Sequence, residues 1–296
     1  MTKNIIGVIW MIVHVLCAAI ISSFSRVLYD SFHPFHISLF YNFTAFIIAL
    51  PFIIKYRQQL IKSCFTKEHA LRGALYTSAQ LIFVFVYNHV PFARVAGITT
   101  SYPLFTTMFA VIFLGEKIGP HRIIALIFGF TGALIIINPL SSELNTYSLC
   151  AVIGIIMWAV FDMVTNKIGH KESIHIQLMH LLIFMGAFSI VPASTLHIPT
   201  ISLQHMFLFF LVGCIIIIYM LSAVLAVAEA EISIVSLFYF TTLPISSSIG
   251  YFIFGETIAI RTIIGSSIIL FSFMYIAHRE YKAKKIAKQL QQSRLI

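Results

Sequence analysis

Charged side chains are scarce in this sequence. Only 10% of the 296 residues are charged and 59% are hydrophobic, whereas a soluble globular domain has about 25% charged residues. So few charges cannot cover the surface of a soluble protein of this length, which excludes a soluble fold. The lipid bilayer must therefore be the solvent for most of the surface, and the 28 Phe residues suit side chains that face lipid.

Cysteine is also scarce, and a phosphate-binding loop is lacking. The four cysteines are scattered without a C-x-x-C pair, so we predict neither a disulfide nor a metal site. The pattern G-x-x-x-x-G-K-[ST] does not occur, which argues against ATP hydrolysis. Most of the 12 His residues fall in predicted loops, and no nucleophile–base arrangement indicates an enzyme. We therefore expect no catalytic residue, no cofactor and no metal.

Apolar segments occupy most of the chain. A transmembrane helix needs about 20 mainly apolar residues, and ten such segments can be marked between breaks rich in Pro, Gly or charge. They are Ile5–Phe24, Phe35–Ile54, Gly73–Tyr87, Val95–Leu114, Ile123–Ile137, Tyr147–Val164, Ile176–Val191, Met206–Ala228, Ile232–Phe254 and Thr262–Ala277. We predict an all-α membrane protein with ten transmembrane helices, the first being a membrane helix rather than a signal peptide.

The basic residues favour one orientation. With a cytoplasmic N-terminus, 16 of the 19 Lys and Arg residues fall on the cytoplasmic side, and Arg26, Arg94 and Arg261 fall on the other. Because positively charged loops stay in the cytoplasm, both termini are predicted to be cytoplasmic. Topology thus explains the net charge of +9 without a nucleic acid partner. The basic tail at residues 279–296 is expected to lie against anionic membrane lipid.

Two Gly-Glu pairs repeat at an interval of 140 residues. Gly115-Glu116 follows the fourth segment, and Gly255-Glu256 follows the ninth. Each half of the chain holds five segments, an odd number, so the second half would cross the membrane in the opposite sense. Inverted repeats with a substrate site between them are typical of secondary transporters. We predict two repeats, at residues 1–140 and 141–278, related by a two-fold axis in the membrane plane.

Several short motifs resemble those of one transporter family. They are Trp10 with Ser25-Arg26; Leu71-Arg72-Gly73; Pro103-Leu104-Phe105-Thr106; and Phe113-Leu114 with Glu116. Together with the segments and the repeat, they resemble the EamA family of the drug/metabolite transporter superfamily, and more closely the S-adenosylmethionine uptake carriers of obligate intracellular bacteria. The chain departs from that subfamily at Arg26, where Lys is usual, and at Gly115, where Asn is usual. The resemblance implies an alternating-access carrier in the inner membrane that does not hydrolyse ATP.

One predicted helix carries an ionisable residue inside the membrane. Trp158, Asp162 and Asn166 are spaced four residues apart in the sixth segment, so they share one helix face. A carboxylate in the bilayer is costly and therefore indicates function. Beside an aromatic face, it suits a cationic, ring-bearing solute. Alternatively, Asp162 forms a structural pair with a cation, for which the choices are Arg26, Arg94 and Lys167.

Three further segments carry polar and aromatic side chains on one face. They are Tyr76, Gln80 and Tyr87 in the third segment; Thr99, Tyr102 and Thr106 in the fourth; and Tyr239, Thr242 and Ser246 in the ninth. Together with Arg26, which could hold a substrate carboxylate, they predict a central substrate cavity. The alternative is that these side chains join helices to one another. Pro103 and Pro244 interrupt the fourth and ninth segments, as gating hinges or as fixed kinks.

Several functions stay open on the sequence alone. The main expectation is a secondary transporter of a small solute, with S-adenosylmethionine uptake as the best single candidate. One alternative is an exporter of amino acids or related metabolites. Another is a lipid-handling or flippase-type protein, which a lateral opening and an uncharged groove would favour. A homodimer is compatible with the sequence.

Overall fold

The structure, a computed structural model, describes residues 2–114, 120–138, 146–197, 199–229 and 238–293. Within these ranges the regular structure is helical. The helices are α1 (Thr2–Tyr29), α2 (Pro34–Lys55), α3 (Arg57–Ile61), α4 (Thr66–His89), α5 (Phe92–Thr99), α6 (Tyr102–Leu114), α7 (Pro120–Ile137), α8 (Thr146–Ile168), α9 (Ile174–Ala193), α10 (Leu203–Glu229), α11 (Thr242–Phe254) and α12 (Ile260–Ser293). Gly115, Glu116 and the first part of the ninth predicted segment lie outside the described residues.

Most of these helices have the length and composition of membrane spans. Among the described residues, seven helical spans are long and apolar enough to cross a membrane, counting α5 and α6 as one, and three shorter apolar helices accompany them. The shorter ones are Ile123–Ile137, Thr242–Phe254 and Ile260–Tyr275. Large apolar side chains such as Phe128, Phe207 and Phe252 are exposed on the outside of the bundle, where lipid can solvate them. The prediction of an all-α membrane protein is confirmed for the described residues.

The main helix contacts form matching pairs. α1 packs on α10 as α4 packs on α8; α2 packs on α10 as α4 packs on α9; and α1 packs on α11 as α6 packs on α8. The other large contacts join α7 to α12, α2 to α9, and α5 to α11. Suppose that each of the first five spans is exchanged with the span five places later in the chain. Each contact named above then maps onto another of these contacts or onto itself. Contacts of similar or smaller size, those of α4 with α1 and α2 and those of α5 with α7 and α12, fall outside this pattern.

Two helical spans are broken at positions 140 residues apart. One break is the turn at Thr100-Ser101 between α5 and α6, and the other is the turn at Phe240-Thr241 before α11. Pro103 and Pro244 follow in the next helical turn, where a missing N–H is tolerated. Hydroxyl groups at both breaks donate to carbonyl oxygens three residues earlier; they belong to Thr99, Thr100, Ser101, Thr241 and Thr242. The breaks therefore satisfy backbone groups that lipid cannot.

Candidate functional site

Asp162 lies on the inner face of α8 and is partly buried. The hydroxyl group of Tyr102, at the start of α6, donates a hydrogen bond to Asp162 Oδ2. The helix break at Thr100-Ser101 places Tyr102 at this position, because the ring stands at the first residue of a new helix. The predicted structural cations all bind elsewhere: Arg26 contacts Glu256, Arg94 donates to the Ile137 carbonyl, and Lys167 contacts Glu68.

Aromatic side chains from six spans, Tyr102 among them, form a connected group beside Asp162, and we call them the aromatic cluster. The Tyr102 ring lies 6.2 Å from that of Tyr239, which lies 6.5 Å from the His14 ring. His14 stacks on Tyr219 at 4.2 Å and bonds the Tyr219 carbonyl oxygen at 3.0 Å. The hydroxyl groups of Tyr219 and Tyr76 interact. The Tyr76 ring lies 5.7 Å from the Phe161 ring. Because Phe161 precedes Asp162 in the chain, this contact links the cluster back to Asp162.

Asp162 and the aromatic cluster together offer one carboxylate and several π faces. A cation gains from both, since aromatic rings attract positive charge on their faces and the carboxylate supplies direct pairing. Phenolic hydroxyl groups add donors and acceptors without the cost of a further buried charge. This chemistry suits a solute that has a positive charge and a planar ring.

The remaining predicted side chains divide into those near this cluster and those held elsewhere. Trp158 stacks on Phe83 at 4.3 Å, and its indole N–H has no partner among the described residues. Tyr87 interacts with Ser22 and lies 5.0 Å from the Phe92 ring. Asn166 is exposed near the end of α8. Gln80 accepts hydrogen bonds from Ser38 and Asn42 of α2 at 3.1 and 2.9 Å, and therefore joins helices.

The predicted hydroxyl residues mostly bond their own helices. Thr99, Thr106 and Thr242 donate to the carbonyl groups of Ala96, Pro103 and Tyr239. Such local bonds leave the hydroxyl group less available to a solute. Their contribution in this structure is to hold the two helix breaks, while the aromatic side chains beside them form the cluster.

Arg26 and Glu256 close one end of the bundle, here called the Arg26 end. Arg26 Nη1 donates to Glu256 Oε1, and the guanidinium lies 4.6 Å from the Phe254 ring centre. Glu256 Oε2 also accepts the backbone N–H of Phe92 at 2.7 Å. One carboxylate thus ties α1 and α5 to the end of α11. Arg26 was predicted as a substrate ligand, and here its charge is taken up by Glu256.

The Gly-Glu motif explains how Glu256 reaches this position. Gly255 has φ +66°, the left-handed conformation that glycine adopts without strain. The Glu256 backbone N–H bonds the Gly250 carbonyl oxygen at 2.9 Å and turns the chain back over α11. A Cβ at Gly250 would lie 2.6 Å from Glu256 Oε2. Glycine at both positions therefore lets the carboxylate face Arg26 without backbone strain or crowding.

A second group of polar side chains lies near the start of α4, and we call it the Arg72 end. The Arg26 end lies beyond the last residue of the same helix, near Phe92. Arg72 Nη1 donates to His69 Nδ1 at 3.2 Å, and His69 Nε2 bonds Glu172 Oε2 at 2.8 Å. Ser63 also donates to Glu172. Burial raises the pKa of Glu172, but the hydrogen bonds from Ser63 and His69 outweigh it, so that the pKa lies below its ordinary value.

Three side chains at the Arg72 end come close enough together to suggest a metal. Ligand atoms of His69, Glu172 and His180 lie within 4.8 Å of one another. The two imidazole rings, however, are stacked at 4.2 Å with 5° between their planes. Their in-plane lone pairs then lie in separate parallel planes and cannot converge on one ion at about 2.1 Å. This arrangement suits a neutral His69 that accepts from Arg72 and donates to Glu172.

An apolar cavity lies apart from the aromatic cluster. It has a volume of about 460 Å³ and sits beside the break before α11. Its lining residues are Phe238, Phe240, Thr241, Leu243, Pro244, Ser266, Ser267, Leu270 and Met274. Asp162 and the tyrosines of the cluster are not part of it, so this cavity does not supply the charge chemistry described above.

Sequence reasoning missed several of these contacts. Tyr219 was overlooked although it is the one tyrosine in the long apolar run of α10, which is a usable signal. His14 was not among the predicted site residues, and Phe161 carried no signal beyond its place beside Asp162. The pairing of His69 with His180 joins positions 111 residues apart, which no local spacing indicates.

Residues 5–138 match the EamA-like transporter family. This part of the chain carries an EamA-like transporter domain. The protein is a multi-pass membrane protein that transports a small-molecule solute, and it is not an enzyme. The family resemblance seen in the sequence is thereby confirmed.

Several transporters are similar to this chain along nearly their whole length. An S-adenosylmethionine uptake transporter of Rickettsia bellii is 29% identical over 285 residues, which are 95% of this chain and 97% of the relative. That of Rickettsia prowazekii is 26% identical over 94% of each chain. A riboflavin transporter of Rhizobium johnstonii is 25% identical over 96% of this chain and 95% of its own.

A solved crystal structure shares the fold. It covers 94% of this chain and 98% of its own, with a TM-score of 0.59 and 13% sequence identity. At that identity the likeness concerns the fold alone.

Proposed function

We propose that this EamA-family transporter imports S-adenosylmethionine across the bacterial inner membrane by alternating access. The observation that carries the proposal is the aromatic cluster around Asp162. S-Adenosylmethionine has a sulfonium cation, which cannot donate a hydrogen bond, and an adenine ring. Aromatic faces with one carboxylate are the groups that recognise such a cation, and the tyrosines can stack on the ring. The two relatives from Rickettsia support the same solute.

We infer that the transporter consists of two inverted five-helix repeats, at residues 1–140 and 141–278, with a cytoplasmic tail at residues 279–296. Three observations support this arrangement: the matched helix contacts, the helix breaks 140 residues apart, and the odd number of segments in each half. The distribution of Lys and Arg supports cytoplasmic termini. Phosphatase and fluorescent-protein fusions after Ile296 test this topology, and an active periplasmic phosphatase at that point would refute it.

The mechanism needs the two ends of the bundle to open in turn. The Arg26 end is held by the Arg26–Glu256 pair, which supports a conformation closed at that end. A solute bound at Asp162 would replace Tyr102 as the partner of the carboxylate. Opening of the Arg26 end would then require the Arg26–Glu256 pair to separate.

The proposal is tested by uptake of labelled S-adenosylmethionine. Bacterial cells that express the chain should accumulate the label, and proteoliposomes should show counterflow without ATP. Unlabelled S-adenosylmethionine should compete, whereas its neutral product S-adenosylhomocysteine should compete more weakly because it lacks the sulfonium charge. An absence of uptake and counterflow with correctly inserted protein would overturn the proposal.

Riboflavin is the second candidate solute. Its planar ring system could stack in the aromatic cluster, and the relative from Rhizobium is named a riboflavin transporter. Riboflavin has no positive charge, however, and gives Asp162 no ionic partner. Saturable riboflavin uptake that S-adenosylmethionine does not inhibit would favour this second candidate.

A further inference from the structure

Arg72 is a buried cation for which the proposed site has no role so far. It lies on α4, one helical turn before Tyr76, and only 4% of its surface is exposed. A buried guanidinium is costly unless it is paired, so an arginine in this position calls for a partner or a function. The sequence motif Leu71-Arg72-Gly73 drew attention to this position without explaining it.

The neighbours of Arg72 leave part of its guanidinium unsatisfied. Its hydrogen bond in the described structure is the one from Nη1 to His69. Nε is buried and has no partner among the described residues. Glu172 attracts Arg72 at longer range but is hydrogen-bonded to His69 and Ser63. The side of the guanidinium that holds Nε is one that can bind a carboxylate with two parallel hydrogen bonds.

Arg72 also borders the aromatic cluster. Its guanidinium lies 5.1 Å from the Phe161 ring centre, and the Tyr76 ring lies 5.7 Å from the same ring. Asp162 follows Phe161 directly and interacts electrostatically with Arg72, yet its hydrogen bond comes from Tyr102. A cation and a carboxylate thus stand near each other without a direct contact between them.

The packing of α4 against α9 holds Arg72 in this place. A Cβ at Gly73 would lie 2.3 Å from Phe184 Cβ, so glycine is needed for the two helices to approach this closely. The approach also stacks His69 on His180, which orients His69 toward Arg72. In the Leu71-Arg72-Gly73 motif, the glycine therefore allows α4 and α9 to approach each other. That approach fixes the position of the arginine.

We propose that Arg72 binds the carboxylate of the transported solute, while Asp162 and the aromatic cluster bind its positive charge. The preferred solute class is then an amino acid with an additional cationic group, because such a molecule satisfies Arg72 and Asp162 together. This inference rests on the proposed function and adds to it a residue and a charge pattern. Lysine cannot replace the arginine fully, since an ammonium group lacks the planar two-donor geometry.

The test compares S-adenosylmethionine with its decarboxylated analogue, which keeps the sulfonium, the amino group and the adenine. Each compound is used to inhibit counterflow of labelled S-adenosylmethionine in proteoliposomes, normalised to inserted protein. In the wild-type protein the analogue should inhibit about tenfold or more weakly, the size expected for a charge-assisted hydrogen bond. In Arg72→Gln, apparent affinity for the parent compound should fall by a similar factor, and affinity for the analogue should change little.

Two control variants separate this role from a structural one. Arg57→Gln removes an exposed arginine of α3 and should leave both affinities unchanged. Arg72→Lys should retain part of the preference for the carboxylate. If Arg72→Gln weakens both compounds equally, Arg72 is structural and the inference is wrong. The wild-type comparison alone also decides: equal inhibition by the two compounds overturns the inference, even if no variant folds.

The same experiment distinguishes the inference from the function on which it rests. Counterflow of S-adenosylmethionine without discrimination against the decarboxylated analogue leaves the proposed function standing and removes the role of Arg72. Absence of S-adenosylmethionine counterflow refutes the proposed solute, and the inference falls with it.

Discussion

The two ends of the bundle use arginine in different ways. At the Arg26 end, the guanidinium pairs directly with the carboxylate of Glu256, and 28% of the Arg26 side chain is exposed. At the Arg72 end, the guanidinium is almost fully buried, and a histidine stands between it and Glu172. A paired cation can hold helices together, whereas a cation with an open donor edge can bind a ligand. Position within a helix therefore does not reveal the role of an arginine, but its partners do.

Asp162 lies between the two ends, and its replacement should have the largest effect. Asp162→Asn keeps the shape and can still accept the Tyr102 hydrogen bond, but it removes the charge that a cationic solute needs. We expect counterflow to fall roughly 10- to 100-fold at subsaturating substrate, the range for a charged hydrogen bond. Counterflow is measured per inserted protein, together with the melting temperature.

Two outcomes would change this interpretation of Asp162. Wild-type counterflow in Asp162→Asn would remove Asp162 from the site. A parallel loss of protein yield and thermal stability would instead indicate a structural role, because the field of Asp162 would then be needed to stabilise Arg72. Tyr102→Phe is the matched variant, since it deletes the hydroxyl group and leaves the charge in place.

The Arg26 end should respond to Arg26→Gln by a change in conformation more than in affinity. Loss of the ion pair favours opening of that end, and about 1.4 kcal/mol corresponds to a tenfold shift in population. We expect a roughly tenfold faster reaction of a thiol reagent with a cysteine introduced by Ser22→Cys, in a protein whose four native cysteines have been replaced. Ser22 is buried one turn before Arg26, so it reports opening.

The contrast with Arg72 makes this prediction sharper. Arg72→Gln should raise the KM with a smaller effect on turnover, whereas Arg26→Gln should alter turnover with a smaller effect on the KM. An unchanged thiol reaction in Arg26→Gln would show that the pair does not hold the Arg26 end closed. If both variants gave the same kinetic change, the two ends would not differ in function.

Gly250→Ala should weaken the Arg26 end through packing alone. The new Cβ would lie 2.6 Å from Glu256 Oε2 and 3.3 Å from the Phe92 Cβ, so the carboxylate must move. We expect a loss of about 1 kcal/mol of stability, at the lower end of the range for overpacked sites because Glu256 can shift. Gly186→Ala is the control, since its Cβ would meet Phe46 at an ordinary 3.7 Å. Equal melting temperatures for the two variants would contradict the proposed crowding.

Glu172→Gln at the Arg72 end should have the smallest effect and a defined pH dependence. Because the pKa of Glu172 is lowered in the folded protein, its ionised form stabilises the fold above the ordinary glutamate pKa of roughly 4.3. The stabilisation is lost as the pH falls through the lower, folded-state pKa. The variant should therefore be less stable than the wild type at pH 7, by less than about 1 kcal/mol.

That stability difference should disappear in acid. Melting temperatures of both proteins between pH 7 and pH 3 provide the measurement, and Asp30→Asn, which changes an exposed carboxylate, is the control. A constant difference across the whole range would show that the charge of Glu172 contributes nothing.

Local sequence features were enough to predict several parts of the site. The spacing of Trp158, Asp162 and Asn166 placed a carboxylate inside a membrane helix, and the structure gives that carboxylate a partner in Tyr102, a residue from the same candidate set. The sequence also placed Tyr239 on a polar face of the ninth segment, and Pro103 and Pro244 marked the two interrupted helices. The roles of Gln80 and the threonines differ from the expectation of a cavity lining. Their hydrogen bonds run to α2 or to their own helices, and spacing alone cannot tell which acceptor a hydroxyl or amide group will meet.

The sequence by itself determined that this is an all-α membrane protein with motifs of EamA-like transporters, because lipid requires apolar helices and the motifs are local. Tertiary structure decided the partners: Glu256 for Arg26, Tyr102 for Asp162, and His69 between Arg72 and Glu172. These pairs join residues 230, 60 and about 100 positions apart, and their formation depends on which helices pack together. The physical reason is that the role of a charged side chain in a membrane protein depends on which polar groups of the neighbouring helices lie in contact with it.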